Sequence, residues 1–150
     1  MRLSNKAEYG MRALLDLALH REHSLVPIAG IAERTGIPLK FLEQILLALK
    51  TAGMVDSKRG VGGGYYLVRS PEAITVADVL KVLDGHVQPI NCEGHAMRNC
   101  PDHEACSIRS VWIEASDAMV SVLGRTSFAD LALRSQHLVA KRGVPLMYHI

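Results

Sequence analysis

All the cysteines of the chain, Cys92, Cys100 and Cys106, fall in one stretch, "NCEGHAMRNCPDHEACSIRS", residues 91–110. They are separated by seven and then five residues, among Gly94, Pro101, the acids Glu93, Asp102 and Glu104, and the histidines His95 and His103. Such polar surroundings keep thiols out of a hydrocarbon core and leave them open to an inorganic partner. Iron in clusters is held by cysteine thiolates, customarily with four protein ligands. Three cysteines in a loop punctuated by glycine and proline can converge on one small core and leave one position for a different ligand. The same three with a loop histidine would also make a tetrahedral zinc site, although the wide gaps lack the usual Cys-x₂₋₄-Cys pairing. A bare thiol sensor that works by oxidation is a third reading. The three acids oppose it, because reactive thiols favour positive surroundings.

The elements that must position this loop are mostly helical. "SNKAEYGMRALLDLALHRE" predicts a helix capped by Ser4, with Ala7, Met11, Leu14, Leu15 and Ala18 on one face. "VPIAGIAERTG" predicts a second, starting near Pro27, buried through Ile28, Ile31 and Ala32 and stopped by Gly36. "IPLKFLEQILLALKTAG" follows at once, with Pro38 in its first turn and Gly53 at its end. Leu42, Ile45, Leu46 and Leu49 form its inward stripe, while Lys40, Phe41, Gln44, Ala48 and nearby Glu43 lie opposite. Two short helices joined by a tight turn are the outline of a helix-turn-helix, and also of any packed helical pair.

The next segment separates those two readings. "MVDSKRGVGGGYYLVRSP" alternates Val55, Ser57 and Arg59, turns through Gly60, Gly62, Gly63 and Gly64, and runs out from Tyr65 to Val68. That pattern is a hairpin with a glycine-rich tip. A phosphate-binding loop would need a Gly-Lys-Ser/Thr ending and a following helix, and this run has neither. Directly after a helix-turn-helix, with Lys58 and Arg59 at its shoulder, the hairpin reads as a wing for a DNA groove.

"TVADVLKVLDG" predicts a short helix, with Thr75 and Asp78 at capping-box spacing and Gly85 just past its end. After the cysteines, "SIRSVWIEASDAMVSVLG" carries Ile108, Val111, Trp112, Ala115, Met119 and Val122 as one stripe. A lone helix cannot bury such a stripe, so it must lie on its own domain or on a second subunit. "TSFADLALRSQ" predicts a last short helix capped by Thr126, and residues 137–150 show no assignable pattern.

The totals fit this picture. The chain has 150 residues, 49% hydrophobic and 21% charged, which suits one modest domain with a real core and excludes disorder. No run of 18 apolar residues is present to span a membrane, and the start lacks a secretory pattern. A cytoplasmic setting follows as the expectation, and an odd cysteine count argues against a disulfide framework. Residues 1–70 carry ten Lys or Arg against six acids, and residues 71–150 seven against nine, so the front half suits a polyanion. Asp16, Glu33, His20 and His23 show no catalytic spacing, so an enzyme is the weaker alternative, as is a purely structural dimer module.

"MRLSNKAEYGMRALLDLA", "FLEQILLALKTAGMVDSKRGVGGGYYL" and three cysteines ahead of a long helix closely resemble the IscR/NsrR family of bacterial winged-helix regulators. The likeness runs from residue 1 to about residue 135, and its most specific pieces are "FLEQ", "RGVGGGY" and the cysteine trio. The resemblance implies a mainly α winged helix-turn-helix with a two-stranded wing and a long dimerisation helix. It implies a homodimer on double-stranded DNA, and an iron–sulfur cluster on the cysteines whose state switches DNA affinity, many members being repressors concerned with cluster supply, iron or nitric oxide.

The IscR branch has a histidine three residues past the third cysteine, where this chain has Arg109, which cannot ligate. The NsrR branch borrows an N-terminal aspartate from the other subunit, and the matching residue here is Glu8. Glu8 is therefore the favoured fourth ligand, with His95 and His103 as alternatives. The cysteine spacing also looks longer than in the IscR branch, which leaves 4Fe–4S and 2Fe–2S both open. The expected layout is a DNA-binding domain over 1–85, a cluster-binding loop over 86–107, a dimerisation helix and short helix over 108–135, and a tail over 136–150. In the major groove, Lys40 suits guanine or phosphate, Gln44 adenine, Phe41 a thymine methyl or else the core, and Glu43 cytosine. Ser57, Lys58, Arg59 and Gly60 should supply the wing contacts.

Overall fold

Ser4 begins the first helix, its hydroxyl accepting the backbone N–H of Ala7 at 3.0 Å. In the computed structural model, which describes residues 3–22, 25–85 and 106–142, this helix, α1, spans Asn5–Leu19. Its buried residues, Ala7, Gly10, Ala13, Leu14, Asp16, Leu17 and Ala18, cover more of its circumference than the single stripe that periodicity suggests. The reason is position: α1 runs through the middle and is packed on several sides. Small side chains allow this. A Cβ on Gly10 would stand 2.1 Å from Leu83 Cδ1.

Helix α2 (Ile28–Thr35) ends at Gly36, whose left-handed φ of 68° no β-carbon favours, and α3 (Leu39–Thr51) starts three residues later. Pro38 sits at the N-cap of α3, one place outside the first turn. The inward stripe is buried as expected, with Leu42, Ile45, Leu46 and Leu49 no more than 1% exposed. Strands β1 (Val55–Lys58) and β2 (Gly64–Leu67) pair antiparallel, Ser57 opposite Tyr65, so the strand stops one residue short of Arg59. Val26 adds a one-residue third edge, exchanging both backbone hydrogen bonds with Tyr65 at 2.9 and 2.8 Å. Gly64 permits that approach, since a Cβ there would lie 2.6 Å from the Val26 backbone.

A 3₁₀ turn (Pro71–Ala73) leads into α4 (Val76–Leu83), which opens with a complete capping box between Thr75 and Asp78. Helix α5 (Ser107–Gly124) and helix α6 (Phe128–Arg142) complete the described chain. Their junction is stitched to the front of α4: Val76 N–H donates to Thr126 O at 3.0 Å and Phe128 N–H to Ile74 O at 2.9 Å. Phe128, 1% exposed, thereby enters the common core, and Leu131 and Ala132 pack against it.

Two expectations are corrected here. The cap of α6 is Ser127, whose hydroxyl accepts the Asp130 N–H at 3.1 Å while its own N–H donates back to Asp130 at 2.9 Å. The Ser127 hydroxyl, donating to the Asp130 carboxylate at 2.7 Å, followed by the Ser127 N–H, holds that carboxyl below its ordinary pKa. Thr126 instead donates to the Val122 carbonyl at 2.9 Å. Moreover, α6 is no short helix, and it runs through the start of the expected tail as far as Arg142.

A buried carboxylate ties the first two helices together. Asp16 on α1, 4% exposed, accepts two bonds of 2.7 Å from Nε and Nη2 of Arg34 on α2. That bidentate hydrogen bonding raises the Arg34 pKa further above its usual value. Among the described residues no helix is long and apolar enough to cross a membrane. Replacing Asp16 with Asn should cost about 2–3 kcal/mol, the scale of lost hydrogen bonds to a charged group. Urea unfolding will show it as a lower midpoint at unchanged slope.

Candidate nucleic-acid interface

The outward face of α3 is set by subtraction. Once its apolar stripe is sunk against α1 and α4, Lys40, Phe41, Glu43 and Gln44 of its first turns are left exposed. Phe41 is 51% exposed, so it does not belong to the core. The same face continues through Leu47, 64% exposed, to Thr51. Sequence reasoning passed over Leu47 because it is apolar, yet it lies seven residues beyond Lys40 and three beyond Gln44, on the same side of a helical turn.

Beside α3 stands the wing. Its tip is built by backbone that only glycine tolerates, with φ of 104° at Gly60 and 75° at Gly62. Val61, between them, is fully exposed and was likewise missed by the sequence reading. Lys58, Arg59 and Gly60 are exposed along one side of an open cleft whose other walls are Leu47, Lys50, Pro27 and Ile28. Ser57 is differently employed. Its hydroxyl accepts from Lys50 Nζ at 2.9 Å, and the same ammonium lies 2.6 Å from Asp56. That ammonium, followed by the Ser57 N–H, holds the Asp56 carboxyl below its ordinary pKa. Lys50 is thus neutralised within the protein. Lys40, Lys58 and Arg59 enter no ion pair among the described residues, and their charge faces outward.

Glu8 is half exposed on α1 and lies 2.5 Å from Arg12. Arg12 in turn lies over the Tyr9 ring at 6.0 Å, and Tyr9 meets the Phe41 ring edge to face at 6.3 Å. A continuous set of contacts therefore joins the favoured fourth ligand to the exposed end of α3.

Of the cysteines, only Cys106 falls within the described residues; Cys92, Cys100, His95 and His103 lie outside them. Cys106 is the N-cap of α5, half-buried, its Sγ accepting the Arg109 N–H at 3.4 Å. Arg109 occupies the first turn beyond it and brings no metal-binding atom. Among the described residues no group of three or more His, Cys, Asp and Glu is gathered to hold a metal ion.

The expected stripe on α5 faces away from its own chain. None of the helix's 18 residues is buried, and Ile108, Val111, Trp112 and Val122 are 70, 63, 42 and 47% exposed. Ala115 is exposed as well, and Met119 half-buried. Leu123, near the end of the helix, packs against the core.

A helix-turn-helix with an exposed second helix, flanked by a glycine-tipped basic hairpin, defines a winged-helix DNA-binding protein. Comparison with known proteins specifies it further. The Rrf2 family, described as iron-dependent transcriptional regulators, matches residues 3–134, and the chain belongs to that family. It is 38% identical over 138 residues to the transcriptional regulator IscR of Xenorhabdus nematophila, covering 92% of this chain and 83% of the relative. With IscR of Escherichia coli it shares 37% over 131 residues, covering 87% and 80%. Among solved structures, T. potens IscR superposes with a TM-score of 0.74 at 32% identity, over 99% of this chain and 97% of that one. CymR, the global cysteine regulator of B. subtilis, gives 0.73 at 32%, over 89% and 98%. The oxidized form of Staphylococcus aureus CymR gives 0.69 at 30%, over 88% and 96%. The protein is thus an IscR-like transcriptional regulator that binds DNA, and not an enzyme.

Replacing Lys58 or Arg59 with Ala should weaken binding to all sequences, with the salt slope reduced by about 0.9 per lost phosphate contact. Gln44→Ala should instead change which sequences are preferred. Titrations across a salt series, on several duplexes, will separate the two effects.

Proposed function

We propose that the protein is a homodimeric repressor whose grip on DNA is switched by an iron–sulfur cluster held by Cys92, Cys100 and Cys106, with Glu8 of the second subunit as fourth ligand. The observation that carries this reading is that Cys106 caps an apolar helix of 18 residues, none of them buried. Leaving such a surface in water is unfavourable, and a second copy of α5 is the complementary cover that a two-fold axis supplies. A dimer built there joins the cysteine-bearing segment and both DNA-binding units to one structural member. Two recognition helices then fall on successive turns of one duplex.

The residues fit the group. Three thiolates, one of them at a helix N-terminus, are the donor set that clusters use, and Arg109 leaves the fourth place to a residue from elsewhere. When bound, a cluster would supply a centre sensitive to nitric oxide, to redox state and to the supply of iron. The protein's own part is to make that state felt by DNA. Glu8 drawn away from Arg12 changes the support under Tyr9, and Tyr9 bears on Phe41 of α3. Whether 4Fe–4S or 2Fe–2S fills the place, the coupling through these contacts is the same.

A second reading, a thiol switch without metal, is favoured by the likeness to CymR, which was solved in an oxidized form. Zinc on the same thiolates is the remaining alternative. The test compares DNA affinity of anaerobic protein with that of protein exposed to nitric oxide or stripped of metal. Wild type should change by about 5- to 150-fold, the usual range for coupled sites. Combined Cys92→Ser, Cys100→Ser and Cys106→Ser should abolish the difference. Val111→Glu, placed on the uncovered stripe, should convert a dimer to a monomer in sedimentation equilibrium. A wild type that sediments as a monomer would overturn the dimer.

A further inference from the structure

The exposed face of α3 is more apolar than contact with phosphates requires. Leu47 stands 64% exposed, on the same side of the helix as Lys40, Gln44 and Thr51. It forms a ridge between two hollows. On one side lies the cleft shared with Lys58 and Arg59, and on the other a shallow hollow lined by Gln44, Thr51 and Val82. Within the cleft, Lys50 is already bonded to Asp56 and Ser57. Leu47 gains nothing from its own chain. Its surroundings are the outward-facing cations of a DNA-binding surface.

A major groove offers few apolar groups: the distinctive one is the C5-methyl of thymine. We infer that Leu47 is a specificity-determining residue that reads thymine by packing its isobutyl group on that methyl, one turn along from the base read by Gln44. The occupant is duplex DNA rather than a protein. The ridge borders the outward-facing Lys58 and Arg59 on one side and is continuous with the reading face, a charge pattern suited to a polyanion. Phe41, nearer the helix start, already meets Tyr9 edge to face, whereas Leu47 is the most exposed large apolar side chain of α3. This inference rests on the reading of α3 as the recognition helix, and adds to it a base and a chemical group.

The test uses deoxyuridine, which differs from thymidine only by the missing methyl. Duplexes bound by the full-length wild type are recovered from a random pool and resynthesised with each thymine of one half-site replaced singly. At one position at least, wild-type affinity should fall about fourfold, the factor expected for returning one methyl-sized group to water. Leu47→Ala should bind the thymine duplex several-fold more weakly and show no difference between thymine and uracil there. Lys58→Ala should weaken both duplexes and preserve their ratio. Wild-type indifference to uracil at every position overturns the assignment, and that comparison changes nothing in the protein. A uracil penalty that survives in Leu47→Ala also overturns it. A pool that yields no enriched sequence at all would instead defeat the reading of α3 itself.

Discussion

Two hydrogen bonds of 2.7 Å from the Arg34 guanidinium to the Asp16 carboxylate fasten α2 to α1. Asp16 is buried, so a lone carboxylate there would be costly, and the pair is tolerated because its geometry is bidentate. The rest of the front half hangs on that fastening. With α2 fixed on α1, the left-handed turn at Gly36 fixes α3, and the Val26–Tyr65 bridge fixes the wing just ahead of α2. The same α1 carries Glu8 and Tyr9, so the helix that anchors the DNA-reading elements also carries the proposed fourth ligand. One rigid member serves both ends of the proposed switch.

The second constraint is hydrophobic. Helix α5 is tied down where Thr126 and Phe128 are stitched to the 74–76 segment, while its stripe from Ile108 to Val122 remains uncovered. Eighteen residues make roughly 27 Å of helix. Pairing that length with its symmetry mate would set the spacing of two wings and place two cysteine segments at one interface. DNA spacing and ligand sharing then become consequences of a single contact surface.

Much of this was legible in the sequence where local chemistry decides. The Thr75–Asp78 capping box, the stop at Gly36 and the glycine tip of the wing each follow from short-range rules, and each stands in the structure. Periodicity gave the buried side of α3 correctly. It understated α1, because a helix packed on several sides has no single stripe. The sequence reading placed the cap of α6 at Thr126, but it is Ser127 that has an acid three residues on, at Asp130. The role of Asp16 was hidden because its partner is 18 residues away and reaches it only through the fold. Leu47 was overlooked because an outward-facing leucine carries no polar signal. Of the cysteines only Cys106 falls within the described residues, and the proposed fourth ligand would come from a second chain, which no spacing within one chain reports.

The account is tested most directly by the visible absorption spectrum of protein purified without air, with iron, acid-labile sulfide and zinc counted per chain. A brown protein with iron and sulfide in comparable amounts, lost on combined serine replacement of the cysteines, is the predicted result. A colourless protein holding zinc, or holding no metal while still switching its DNA affinity, would contradict it.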